Sequence, residues 1–558
     1  MKKADMVLLN GHILSIDKAG NRIDGQAVAV TDGIITRIGT DDLIREYVGD
    51  ETQVIDCYGN TVLPGLCDAH CHPSSSASAY SGCDLFGIYI QEEETADEII
   101  DDYMARLKEF VDAHPEDELI RGTGWVMGNF TGDRVPTRHD IDRICSDRPV
   151  ILESFCQHNL WVNTKAIEIA GVDEKTPDTY TGCIFREEDG YPQGIFNDPE
   201  AMALIKERVP GYDFSVEKYK EALLYYQKNY ANKYGVTMAM DCMHSDNARA
   251  AYRQLAKEGR LTIRARGVYL AEPDKGHEQL DEYIARKGSD NVGDDFRIDT
   301  VKMFAEGMFS LVEPYEDGSN APLYWSDRDF IDTAAAAMKA GFNVHVHAMG
   351  DNSVRQSVRC LSSAQKIAGV NSGNTIAHLM LISDEDADEM AGASIIANCQ
   401  PRWMVYDSDI AGMLPMVGRK RAESAYPLRC FLDRGMTVAF GTDFPVTPPP
   451  DTMHEIQCAM TRSVFPDAPD YEAFRGKVLG SEKPADLYEA LQALSINGAV
   501  QMLADEYTGS IEEGKSAELV LLDSDIENTP VGEIYKIQVN KTIFKGNVVY
   551  EKGESYGN

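Results

Sequence analysis

The sequence predicts an α/β fold, a (β/α)8 TIM-type barrel, on three observations. Short apolar runs recur along the chain, and several end in metal-competent side chains. Helical patterns fall between several of those runs. At 558 residues the chain exceeds one typical domain and can hold a barrel with appended modules. In such a barrel the C-terminal ends of the strands meet at one face, so side chains far apart in sequence converge there.

The first run, Val62-Leu63-Pro64-Gly65-Leu66-Cys67-Asp68-Ala69, ends at His70-Cys71-His72. In a strand, residues i and i+2 share a face, so both imidazoles project together and Cys71 turns away. Two neutral imidazoles suit a borderline metal such as zinc. A lone His-x-His pair also arises by chance, so its weight depends on the ends of the other runs. Arg297–Phe304 carries Lys302 and runs into Glu306-Gly307; Gly341–His347 carries His345 and ends at His347. Thr375-Ile376-Ala377 ends at His378, and Thr437–Thr442 runs into Asp443.

The barrel strands are placed at Leu63–His70, Val236–Asp241, Leu261–Tyr269, Ile298–Phe304, Phe342–His347, Thr375–His378, Ser394–Asn398 and Thr437–Gly441. Helices are expected at Arg328–Ala340, opening after Ser326, and at Ser353–Ile367, before a C-cap at Gly369. Asp351 is expected to cap the latter through its side-chain oxygen. The count reaches eight when residues 74–234 form an insertion after strand one. That segment is too long for a plain loop. It holds helical stretches (Ala96–Ala113, Val216–Lys233) and the turn-rich span Asp173–Pro199, and is expected to form a subdomain over the barrel mouth.

A net charge of −38 disfavours nucleic acid and anionic membrane as partners. The twelve cysteines are scattered without a Cys-x-x-Cys pair, which fits reduced thiols better than a disulfide framework. No run is long enough to span a bilayer or form a signal-peptide core, so the expected location is cytoplasmic. Residues 1–62 and the end of the chain read as short strands between turns such as Asn10-Gly11 and Asp32-Gly33.

With these motifs the chain resembles the amidohydrolase superfamily, specifically amidohydrolase family 3 and its N-substituted formamide deformylase-like branch. The resemblance spans nearly the whole length. It includes Leu63-Pro64-Gly65 before the His pair, Gly122-Thr123-Gly124-Trp125 and His158-Asn159-Leu160-Trp161-Val162-Asn163. Later come His347-Ala348-Met349-Gly350-Asp351, Gly441-Thr442-Asp443-Phe444-Pro445 and Gly509–Lys515. Three departures stand out: Glu306-Gly307 for the usual Asp-Gly, Phe444 for a common Trp, and Ser516-Ala517-Glu518 before the closing strand. The resemblance implies that both chain ends, 1–62 and 505–558, build one small β-sandwich beside a barrel over 63–504.

It also implies the site. His70, His72 and Asp443 would hold one divalent ion and His347 and His378 a second, with zinc the default metal. Lys302, carboxylated by carbon dioxide, would bridge the two ions as a carbamate, because a protonated ammonium cannot bind a metal. Asp443 would shuttle a proton from a metal-activated hydroxide to the leaving nitrogen. His345 lies one layer deeper, either supporting a ligand or binding metal itself. Trp125 and His158 match positions that face the substrate, and Arg402, after strand seven, could hold a substrate carboxylate. The implied activity is hydrolysis of a C–N bond in a small molecule, by a homodimer. Deamination, isomerisation or decarboxylation on the same scaffold is the alternative, and a non-catalytic ligand-binding relative a third.

Overall fold

The computed structural model describes residues 2–88, 95–130, 134–307, 309–370, 373–447 and 449–553. Eight strands form one parallel sheet: β1 (Leu66–Cys71), β2 (Val236–Asp241), β3 (Arg264–Ala271), β4 (Phe296–Phe304), β5 (Asn343–Ala348), β6 (Thr375–His378), β7 (Ile396–Cys399) and β8 (Val438–Phe440). Each pairs with the next in chain order. The ring closes where Asp443 N–H donates to His70 O at 2.8 Å and His72 N–H to Phe444 O at 2.6 Å. Gly441 permits this approach, because a Cβ there would sit 2.6 Å from the His70 Cβ. All residues of β1 and β2 are buried, as expected of strands covered on both faces.

The helices between strands follow their local signals. Asp327–Lys339 starts where Ser326 Oγ accepts the Asp329 N–H, and Asp351–Ala368 stops at Gly369, whose φ of 73° is left-handed. The expected cap at Asp351 is not formed. Gly350 holds that position, the Asn352 N–H is already taken by Ser310 O at 3.0 Å, and the Asp351 carboxylate accepts the Val312 N–H instead.

Two further sheets flank the barrel sequence. One has the order Ile34–Gly39, Ala27–Thr31, Met6–Leu9, Gln53–Asp56. The other runs Asn547–Glu551, Val539–Phe544, Leu519–Leu522, Thr61–Pro64, His12–Ile16, Arg22–Gly25, joining strands from both ends of the chain. Met6, Leu8, Val28 and Ile35 share one core with Val62, Leu519, Leu521 and Ile543.

The chain divides into two compact units. The first comprises 1–72, 224–243 and 252–558; the second comprises 73–223 and 244–251, ending earlier than the sequence suggests. The second unit carries a six-stranded sheet in the order Cys183–Arg186, Pro192–Asn197, Asn159–Val162, Val150–Ser154, Ile120–Trp125, Cys83–Asp84. The turn-rich span therefore hides a hairpin, closed by the Glu187 N–H on Tyr191 O at 2.9 Å. Helix Ala96–Ala113, opened by a Thr95/Glu98 capping box, packs Ile99, Tyr103 and Leu107 into a core with Trp125 and Trp161. Among the described residues, no helix is long and apolar enough to cross a membrane.

Candidate metal centre

β1 delivers His70 at its end and His72 just beyond it. Cys71 packs the other way, against Tyr226, Ala231 and Phe444, as strand alternation requires. Behind the pair, Asp68 accepts both the Thr442 N–H (2.9 Å) and the Thr442 hydroxyl (2.6 Å). This fixes the segment after β8 beside β1 and brings Asp443 to the histidines. Asp443 and His378 both have left-handed backbones, with φ of 56° and 78°. Such conformations are costly for residues other than glycine and are held only by surrounding contacts, here at two candidate ligands.

The register sets the depth of the remaining residues. Lys302 on β4 pairs with His345 on β5, and two residues on, Phe304 pairs with His347. Paired residues of a parallel sheet share a layer, so Lys302 and His345 lie one layer below His347. The four histidines of the outer group form a chain of ring contacts: the centroids of His72 and His70 are 5.5 Å apart, those of His70 and His378 4.7 Å, and those of His378 and His347 4.6 Å.

Asp443 Oδ1 lies 3.0 Å from His72 Nε2 and 3.4 Å from His70 Nε2. Donors on one tetrahedral zinc, bound at about 2.0–2.1 Å, are about 3.3 Å apart, so this spacing fits a shared ion. His72 Nδ1 is buried without a hydrogen-bond partner among the described residues, a further sign that the ring is not simply a satisfied core histidine. Lys302 is fully buried with its Nζ 3.5 Å from His70 Nε2. His378 Nδ1 sits 2.9 Å from Gln400 Oε1, while the Gln400 amide nitrogen donates to Asn398 Oδ1 at 2.8 Å. The His378 proton must therefore be on Nδ1, which leaves Nε2 as its ligand atom.

Electrostatics agree with a cation-binding role. Burial, aided by the charge of Lys302, holds the His70 and His345 imidazoles well below the usual histidine range, and burial brings His378 to about 4. All three are thus neutral at pH 7, the form that binds metals. Burial also lowers Lys302. For Asp443, burial works upward but is outweighed by the His72 contact and the nearby His378 and Lys302, so the carboxylate stays ionised.

Trp125 is fully buried in the core of the second unit, its indole N–H donating to Leu152 O at 3.0 Å. His158, also in that unit, lies 2.9 Å from Asp198 and is one-quarter exposed. Arg402 donates to Pro449 O at 2.7 Å and lies over the Phe465 ring. Three contributors escape a reading of the sequence: Asp68, the Asn398–Gln501 amide pair behind Gln400, and Cys242 just past β2. A strand-end position was the one available signal for Cys242.

Comparison with known proteins matches this architecture. The amidohydrolase family model covers residues 53–550. Protein YtcJ of Bacillus subtilis (strain 168) is 26% identical, over 97% of this chain and 98% of its own. The N-substituted formamide deformylase of Arthrobacter pascens is 23% identical over 98% of each. Among solved structures, an uncharacterized metal-dependent hydrolase from Pyrococcus horikoshii OT3 superimposes with a TM-score of 0.71, at 21% identity, over 94% of this chain and 99% of that one. A match of this extent, on a barrel whose strand ends gather the histidines, the lysine and the aspartate described above, means that the chain belongs to the amidohydrolase family.

Proposed function

We propose that this protein hydrolyses the C–N bond of a small N-acyl or N-formyl amine, using two divalent metal ions, with zinc the default. His70, His72 and Asp443 would hold one ion, and His347 and His378 the other, with Lys302 supplying an anionic ligand once carboxylated. The single observation that carries this reading is the placing of Asp443 Oδ1 within 3.4 Å of both β1 histidines at the closure of the barrel. Bound there, the ions supply Lewis acidity and a nucleophilic water at neutral pH.

The chain's own residues do the rest. Asp443 accepts the proton of the attacking water and returns it to the leaving nitrogen. Gln400 fixes the tautomer of His378, and Asp68 holds the Asp443 segment against β1. Lys302, buried and without a carboxylate partner among the described residues, is poorly placed as a plain ammonium, which supports its carboxylation. The near full-length similarity to an N-substituted formamide deformylase supports the N-formyl end of the substrate range. His158 and Arg402, whose side chains stay partly exposed, are the substrate contacts of this reading. Twelve free cysteines support a reducing, cytoplasmic setting.

The test is elemental analysis of protein purified without chelator, followed by an N-acyl amine screen with product identification. Metal near two per chain, with release of an acid and an amine, is expected. Release of ammonia would move the assignment to deamination, and a metal-free protein with no turnover would end the metal-hydrolase reading.

A further inference from the structure

One group of donors at the barrel centre contains two residues, Cys242 and His345, that this chemistry does not use. His70, Cys242 and His345 present ligand atoms that all lie within 4.8 Å of one another. The three come from β1, the residue after β2, and β5, and none is more than 1% exposed. His345 Nδ1 is a buried polar atom without a hydrogen-bond partner among the described residues. The other ring nitrogen of His345 lies 2.9 Å from His70 Nδ1, on the opposite edge of the ring from the nitrogen that faces Asp443. Burial pushes the Cys242 thiol up to about 12, with the Lys302 ammonium working against it, so the thiolate forms here only with a cation beside it.

We infer that His70, Cys242 and His345 form a further cation site, alternative to the outer one that shares His70, of two nitrogens and one sulfur, suited to a soft or borderline divalent ion such as zinc or cobalt. Zinc binds sulfur at about 2.3 Å and imidazole at about 2.0–2.1 Å, so its donors stand about 3.3–3.6 Å apart. An ion there replaces the 2.9 Å contact between His70 Nδ1 and His345 Nε2, so that pair opens by about 0.4 Å and its shared proton leaves with the thiol's. On binding, the thiol gives its proton to solvent and a metal–sulfur bond forms; no oxidation is involved.

The site has a consequence for the outer group. A neutral imidazole has one lone pair, so His70 can serve either His72 and Asp443 through Nε2 or the deeper group through Nδ1. An ion in the deeper group therefore removes a ligand from the outer one. Excess soft metal then inhibits, and the inhibition depends on Cys242. This inference rests on the barrel mouth being a metal centre, and its test separates the two.

The experiment is cobalt(II) titration of the metal-depleted full-length protein, followed by absorption spectroscopy, in the wild type and in Cys242→Ala. The wild type is expected to show a near-ultraviolet sulfur-to-cobalt charge-transfer band that Cys242→Ala lacks, while the variant keeps the visible cobalt bands of a nitrogen and oxygen site. X-ray absorption of the zinc-loaded wild type, which needs no variant, should show a sulfur shell at about 2.3 Å. Cobalt bound without a sulfur band, or an equal band in Cys242→Ala, overturns the inference and leaves the hydrolase reading standing. A protein that binds no cobalt overturns both.

Discussion

The buried indoles of the second unit and the strand-end cluster of the first meet their polar atoms in different ways. In the second unit the indole N–H groups of Trp125 and Trp161 donate to Leu152 O and Thr137 O, at 3.0 and 2.8 Å. Each buried donor is matched to backbone, so the rings contribute packing without an unmet polar group. In the first unit His70, His345, Lys302 and Cys242 are just as buried, but they face one another, and the nitrogens His72 Nδ1 and His345 Nδ1 have no partner among the described residues. Buried polar groups left in that state destabilise a fold unless something else joins them. The comparison teaches where to look for chemistry: not where polar residues are buried, but where their partners are not backbone.

Asp443 offers the sharpest way to break the comparison. Asp443→Asn keeps the shape of the side chain but removes the proton acceptor and one anionic donor. We expect turnover to fall by about 10²–10⁴-fold with circular dichroism unchanged. Wild-type turnover in that variant would show the carboxylate to be as structural as the indoles of the second unit. Trp125 supplies the opposite case. Trp125→Ala should cost about 3–5 kcal/mol of stability, read by thermal or denaturant unfolding, with metal content unaffected. A variant that melts like the wild type but has a raised KM would return Trp125 to the substrate.

The same contrast explains what the sequence could and could not show. The barrel was legible because strands buried on both faces read as apolar runs, and because His70, His72, Lys302, His347, His378 and Asp443 end such runs or stand within a residue or two of their ends. The depth of His345 was legible from the two-residue period of a strand. Trp125 was not, since an aromatic residue in an apolar strand reads identically whether it faces a ligand or a core. The hairpin Cys183–Asn197 was hidden by the charged turn Glu187-Glu188-Asp189-Gly190 and by Gly194 inside its second strand. Asp68 and Gln501 were invisible for another reason. Each acquires its role from a partner across the barrel, and no local pattern marks such a partner.

Gln400 tests the smaller, supporting interactions of the first unit. Its carbonyl accepts the His378 proton, and behind it Asn398 donates to Gln501 Oε1 at 2.9 Å while Gln501 donates to Ala69 O at 2.7 Å. The relay thus ends on the backbone next to His70. Gln400→Leu fills similar space but leaves His378 free to turn and change tautomer. Metal affinity should drop by about 10–100-fold, measured by competition with a chelating dye, with the melting temperature of the apoprotein little altered. An unchanged affinity would show that packing against Trp403, whose ring stacks on His378 at 5.3 Å, is sufficient to hold the ligand.

Glu306 is a buried carboxylate of the barrel unit whose partners are mostly backbone, with the Ser353 hydroxyl beside them. Oε1 accepts the N–H groups of Met349 and Gly350 at 2.5 and 2.8 Å, and Oε2 accepts that of Ser310. One side chain therefore ties the segment after β4 to the segment after β5, directly beyond His347. By the rule drawn from the second unit, this pattern marks structure and not chemistry. Glu306→Asp, which restores the residue usual in the family, shortens the side chain by one methylene and cannot reach both segments without backbone movement. Losing one such charge-assisted bond should cost about 1.5–3 kcal/mol, seen in unfolding, while metal content stays at the wild-type level because the ligands sit on strands. If stability holds and metal is lost instead, backbone pairing would not be a sufficient mark of a structural role, and Glu306 would join Gln400 among the residues that position a ligand.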